Sequence, residues 1–288
     1  MASLDLAEYL GHHRASVDDA VASRLPAADR EPRLVHEAMR YVTLSGGKRL
    51  RPIVSLAVAQ LAGRAPAHLL DAACAVELVH TSSLILDDLP CMDDAQERRG
   101  QPCIHVKYGR ATALLAAMAL LSRAFELVAA NAAAVRPESA AEVVSMLSKA
   151  VGSEGLVHGQ HLDLQHTDAE PTLDGLIHIH ALKAGALFLA AVQIPACLAG
   201  LSGRETSALA EYARGVGLAF QIIDDLHDAA SSREDAGKGT YAQLLGERGA
   251  RDRANALLSQ AVQALAPFGE AGEPLRLLAE HLRANMAV

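Results

Sequence analysis

A chain of 288 residues can bury a large apolar core within one domain, and residues 1–288 are expected to form one. The net charge of −8, the 3% aromatic content and the lack of tryptophan argue against nucleic-acid binding through phosphates or base stacking. Cys74, Cys91, Cys103 and Cys197 show no paired spacing for zinc or redox chemistry, so reduced thiols in a cytoplasmic protein are expected. The start, Met1-Ala2-Ser3-Leu4-Asp5, lacks the basic head and apolar core of an export signal. Helical periodicity dominates from there on, with no convincing alternating strand. Residues 4–25 read as an amphipathic helix ended by Pro26, and residues 30–44 as a second closed by Ser45-Gly46-Gly47. Pro52 suits the first turn of a helix over 52–61. A long helix over 68–88 is followed by an irregular, charged connection over 89–110. Further helices are expected over 111–134, 138–165, 173–199 and 204–226, with shorter ones after Tyr241 broken near Pro267 and Pro274. The apolar stretches 111–121 and 184–201 are too short or too interrupted to span a bilayer, which needs about 20 apolar residues. An all-α, single-domain bundle of long helices follows, without membrane insertion.

Two acidic clusters stand out against this apolar background. Ser83-Leu84-Ile85-Leu86 runs into Asp87 and Asp88, and Asp93 follows after Leu89-Pro90-Cys91-Met92. Proline cannot continue the helical ladder, so the chain should loop out there and bring Asp93 back towards Asp87. Late in the chain, Phe220-Gln221-Ile222-Ile223 leads to Asp224, Asp225 and Asp228; four residues apart, Asp224 and Asp228 share a helix face. Carboxylates gathered beside apolar walls repel one another and lose hydration unless a cation neutralises them. Donors that are all oxygen favour a hard ion such as magnesium, which takes substrate phosphates as its remaining ligands. Gly46-Gly47-Lys48-Arg49-Leu50-Arg51-Pro52 adds three cations before a helix start, a suitable diphosphate cradle, and Arg98-Arg99 lie just past Asp93.

These segments, with Glu77-x-x-His80, Gly159-Gln160-x-x-Asp163 and Lys183-x-Gly185, stand in the order found in trans-isoprenyl diphosphate (polyprenyl) synthases, which the chain resembles over nearly its whole length. The resemblance implies the isoprenoid synthase fold, a bundle around a deep central cavity, usually in a homodimer. It implies a prenyltransferase that condenses isopentenyl diphosphate with an allylic diphosphate, using three magnesium ions held by Asp87, Asp88, Asp93, Asp224, Asp225 and Asp228. Asp87, Asp88, Lys183 and Asp224 match the positions carrying catalysis. Lys48, Arg51, His80 and Arg99 match those holding isopentenyl diphosphate, and Arg98, Lys183, Gln221 and Lys238 those near the allylic diphosphate. Gln160 and Asp163 match secondary positions.

Ala184 stands where the family usually has threonine, and the segment from Asp228 to Lys238 is shorter than is common, lacking one loop lysine. Ser82 and Ser83, five and four residues before Asp87, and Val79 one turn deeper are expected on the cavity wall. In the family a bulky aromatic there stops growth at farnesyl length, so these small residues imply a longer product, most simply geranylgeranyl diphosphate. A wall residue such as Met118 could close the tunnel first, leaving farnesyl diphosphate as the alternative. The stripe Leu114, Leu115, Met118, Leu121 and Phe125 is read as core and tunnel wall. A class I terpene cyclase is disfavoured because both acidic motifs and the Gly-Gly-Lys-Arg-x-Arg-Pro segment are present. A non-catalytic subunit that modulates a partner synthase is kept open by Ala184 and the short loop.

Overall fold

Asp5 starts the first helix, α1 (Leu6–Arg24): its carboxylate accepts from the N–H groups of Ala7 and Glu8, donors that no helical carbonyl can reach. The computed structural model describes residues 5–165, 172–230 and 240–286. After α2 (Arg33–Thr43), a turn with Gly46, Gly47 and Arg49 at positive φ delivers the chain into α3 (Leu50–Leu61). Pro52 sits in the first turn of α3, where an absent N–H loses no hydrogen bond. A 3₁₀ turn, Pro66–Leu69, precedes α4 (Leu70–Asp87). The irregular connection then contains a two-residue antiparallel ribbon, β1 (Glu97–Arg98) with β2 (Gln101–Pro102), and the short α5 (Ile104–Tyr108). The bundle continues with α6 (Arg110–Val135), α7 (Ala140–Val151), α8 (Leu156–Gln165) and α9 (Leu173–His180). A π turn, Ala181–Gly185, joins α9 to α10 (Ala186–Ala199) without interrupting the rod. α11 (Gly203–Ala230), α12 (Tyr241–Ala264) and α13 (Glu273–Asn285) complete the order.

α4 packs on α6 and α3, α10 on α3, α7 and α11, and α11 on α12. One apolar cluster runs through all of them, from Tyr9 to Met286. The helix expected over 138–165 is two helices, because Gly152-Ser153-Glu154-Gly155 puts two poor helix formers within four residues. The segment after Tyr241 opens with a longer helix than expected, α12, which bends at Gly246 (φ 70°).

The phase of α6 also differs from expectation. Ala113, Ala116, Ala117, Leu120 and Ala124 face inward, whereas Leu114, Leu115 and Met118 are 45%, 53% and 68% exposed. Residues 113–121 carry no polar stripe to fix the rotation of this part of the helix, so alanines that let α4 approach closely decide it. Met118 therefore does not wall the cavity. Three helices, Pro66–Asp87, Arg110–Val135 and Leu173–Ala199, are long and apolar enough to cross a membrane. Packing within the bundle accounts for most of the apolar surface of the first and third, while the second keeps its outward apolar face.

Candidate active site

Both acidic clusters open into a single cavity of about 810 Å³, lined by Asp87 and Asp93 on one side and Asp224, Asp225 and Asp228 on the other. The first set depends on the proline loop: Met92 donates to the Leu89 carbonyl (2.8 Å), and the Asp93 N–H donates to the Asp87 carbonyl (2.9 Å). Residues 89–92 are thereby looped out and Asp93 returns to the end of α4. Asp88 takes another course. It is 2% exposed, does not line the cavity, and accepts from Arg98 Nε at 2.8 and 3.0 Å. Its expected place among the metal ligands is corrected: consecutive residues point about 100° apart on a helix, and the guanidinium occupies both its oxygens.

Across the cavity, Asp224 pairs with Lys48 (3.2 Å), and Asp225 accepts from the Tyr241 N–H at the start of α12 (3.2 Å). Lys183 comes from the π turn, a one-residue widening that turns its side chain into the cavity, where it pairs with Asp163 (2.7 Å). α8 approaches this turn so closely that a Cβ on Gly159 would lie 2.3 Å from the Lys183 nitrogen. Burial pushes the Asp87 carboxyl up to about 6 against the pull of Lys183, and the Asp225 carboxyl up to about 7, with Asp224 and Asp228 adding to the latter. Asp224 is raised too, by burial first. Asp163 repels both Asp87 and Asp225, so the two motifs share one electronegative region. A divalent cation fits such a region: the donors are hard oxygens, partly desolvated, and burial outweighs the nearby cations at Asp87, Asp224 and Asp225. No three His, Cys, Asp or Glu side chains among the described residues are already arranged to hold an ion, and a hard ion can complete its shell with water or phosphate oxygens.

The residues expected to hold isopentenyl diphosphate line the same cavity. Arg51 lies over Phe188 (4.6 Å to the ring centre) and Phe220 (5.8 Å), and Lys48 lies 5.1 Å from the Phe220 ring. Arg99 donates to the Gly46 carbonyl, packed so tightly that a Cβ on Gly47 would lie 2.8 Å from the guanidinium. Burial, then Arg51 and Arg99, hold the His80 imidazole well below its ordinary pKa, leaving it a neutral hydrogen-bonding group at pH 7. Arg49, read in the sequence as one of three loop cations, turns inward: it is 3% exposed, binding Glu77 (2.6 Å), Asp18 (2.8 Å) and the Thr43 carbonyl (2.6 Å). It fixes the loop so that its neighbours Lys48 and Arg51 face the cavity.

α4 presents Glu77, His80, Ser83, Leu84 and Asp87 to the cavity. Ser83 is thus on the wall as expected, but Ser82 and Val79 are not. Ser82 donates to the Ala117 carbonyl of α6 (2.9 Å), and Val79 is buried in the core. Five residues of helix rotate a side chain about 140° from Asp87, and eight about 80°. Gln221, Ala184 and Arg98 line the cavity; Gln160 is buried beside it without lining it. Lys238 and the shortened segment lie outside the described residues. Arg14, on α1, lines the cavity too; a lone arginine on an amphipathic helix gives no sequence signal of that.

The family model for polyprenyl synthetase matches residues 32–266. The chain is 42% identical to the chloroplastic geranylgeranyl pyrophosphate synthase of Capsicum annuum, covering 88% of this chain and 72% of that protein. It is 42% identical to the geranylgeranyl diphosphate synthase of Pantoea ananas, over 83% of this chain and 81% of that one. Among solved structures, an apo FPP/GFPP synthase from Zymomonas mobilis superposes with a TM-score of 0.88 at 35% identity, covering 96% of this chain and 98% of that chain. A geranyltransferase from Legionella pneumophila superposes with a TM-score of 0.86 at 29% identity, over 98% and 97% of the two chains. With two opposed carboxylate sets in one helical cavity and a family match across 32–266, this chain is a member of the polyprenyl synthetase family.

Proposed function

We propose that the protein is a magnesium-dependent prenyltransferase that joins isopentenyl diphosphate to an allylic diphosphate, with geranylgeranyl diphosphate as product. The observation that carries this reading is the sharing of one cavity by both acid sets and the cations Lys48, Arg51, Arg99 and Lys183. Asp87, Asp93, Asp224, Asp225 and Asp228 would hold the magnesium ions, three by family resemblance, and their charge would neutralise the departing diphosphate. Lys183 and Arg98 steady the same oxygens, with Gln221 beside them. Lys48, Arg51, Arg99 and neutral His80 hold the second diphosphate and present its double bond. Leu84, Leu187 and Phe220 keep water from the allylic cation formed when the C–O bond breaks. The double bond attacks that cation, and the proton lost afterwards passes to the departing diphosphate. A cytoplasmic homodimer without membrane insertion completes the proposal: the outer face of α6, with Leu114, Leu115 and Met118, suits a second copy, and sizing the purified protein tests it.

Chromatography of products made from dimethylallyl, geranyl and farnesyl starters is the test. A twenty-carbon diphosphate is expected; fifteen carbons would establish the farnesyl alternative, and a released hydrocarbon a cyclase. No incorporation by the protein alone would favour a modulating subunit. Ser83→Phe should shorten the product, because Ser83 faces the cavity; Ser82→Phe should instead lower the melting temperature by intruding between α4 and α6. The opposite assignment of the two effects would reverse this reading of the wall.

Metal binding should also show in the pH dependence of stability. The carboxyls of Asp87 and Asp225 are raised to about 6 and about 7 by burial, so their favourable, protonated state is lost as pH climbs through those values. The melting temperature should therefore rise more on adding magnesium chloride at pH 8 than at pH 5.5, relative to sodium chloride of equal ionic strength. Equal rises would count against these acids as the ligands.

A further inference from the structure

We propose that Arg14, carried by the N-terminal helix, is an additional cation of the isopentenyl diphosphate site and contacts that substrate's diphosphate. The inference rests on the reading of Lys48 and Arg51 as diphosphate ligands given above. Arg14 lines the main cavity and also a smaller one of about 100 Å³ that adjoins it. The two cavities share Lys48, Leu50, Phe220 and Asp224, so Arg14 stands at the end of the active site where Lys48 enters. His281, on α13, feels both Arg14 and Lys48 as like charges, which places the two cations in one electrostatic neighbourhood.

What separates Arg14 from an ordinary surface arginine is the fixed helix beneath it and the use made of the neighbouring cations. α1 is pinned before Arg14 by the Tyr9 hydroxyl on Gln60 (2.6 Å), and one turn after it by Asp18 on Arg49 (2.8 Å). Arg14 and Leu10, one turn apart, present the same face to the smaller cavity. Of the surrounding cations, Lys48 is paired with Asp224, Lys183 with Asp163, Arg98 with Asp88, and Arg49 with Glu77 and Asp18, while Arg99 donates to the Gly46 carbonyl and Arg51 lies over Phe188 and Phe220. No hydrogen bond or ion pair to Arg14 is found among the described residues. It is an uncommitted guanidinium beside a cavity suited to diphosphate, able to bind two oxygens without first breaking a protein contact. Because Arg14 holds nothing else in place, its removal should leave the fold unchanged.

The test is calorimetric titration of isopentenyl diphosphate into metal-free wild type, Arg14→Ala and Arg14→Lys, with Arg248→Ala as an exposed control on α12. Steady-state KM values for both substrates are measured alongside. Arg14→Ala should weaken isopentenyl diphosphate binding about tenfold, the usual scale of one charge-assisted contact. Arg14→Lys should restore most of that loss, and Arg248→Ala should change nothing. The KM for isopentenyl diphosphate should rise in Arg14→Ala, while kcat and the KM for the allylic substrate stay within about twofold. Wild-type affinity in Arg14→Ala, or an equal rise in both KM values, would overturn the assignment. If wild type and Arg248→Ala bind no isopentenyl diphosphate, the reading of Lys48 and Arg51 fails with it.

Discussion

Asp224→Ala and Asp87→Ala are each expected to lower kcat for condensation by about a thousandfold or more while leaving the fold intact. Metal-held charge stabilisation is worth several kcal/mol of barrier, and about 1.4 kcal/mol is tenfold in rate. Stability should hardly suffer, since burial already pushes both carboxyls up and makes their ionised forms unfavourable in the metal-free protein. Asp88→Ala is the informative contrast. Its carboxylate is buried against Arg98 and does not reach the cavity, so its loss should lower the melting temperature as well as activity. Rate assays paired with thermal melts check all three. Near wild-type turnover in Asp87→Ala or Asp224→Ala would remove the metal assignment.

Glu77→Ala is expected to destabilise the protein by about 3–5 kcal/mol, the cost of leaving a buried cation without its partner. Arg49 and Glu77 are 3% and 2% exposed, and their 2.6 Å contact joins the loop before α3 to the middle of α4. Asp18 and the Thr43 carbonyl would remain as partners of Arg49, which keeps the figure from being larger. The double variant Glu77→Leu with Arg49→Met should recover much of the loss, because apolar residues can replace a buried pair without an orphaned charge. Denaturant unfolding of the three proteins measures this. An unchanged midpoint for Glu77→Ala would show that the contact does not hold the loop.

The helices were legible because their apolar periodicity and their stops at Pro26, Gly46-Gly47 and Pro90 are local properties of the chain. The acidic sets were legible for the same reason, since Asp224 and Asp228 fall on one face whatever surrounds them. Rotation about a helix axis was harder to read. Over residues 113–121 α6 is apolar on every side, and the alanines packed against α4 reveal which face turns inward. Ser82 and Ser83 differ by one residue, yet one binds the Ala117 carbonyl and the other faces the cavity. Neighbouring cations divided similarly: Lys48 is exposed and pairs with Asp224, while Arg49, with a left-handed backbone (φ 49°), touches the cavity but is buried on Glu77. Arg14 reaches the cavity through the placement of a distant helix, which no short motif records.

Calorimetric titration of inorganic pyrophosphate, with magnesium and again with a chelator present, examines the opposed carboxylates without requiring turnover. Magnesium-dependent binding to wild type that disappears in both Asp87→Ala and Asp224→Ala is the predicted result. Equally tight binding under chelation, or binding that survives loss of either aspartate, would contradict it.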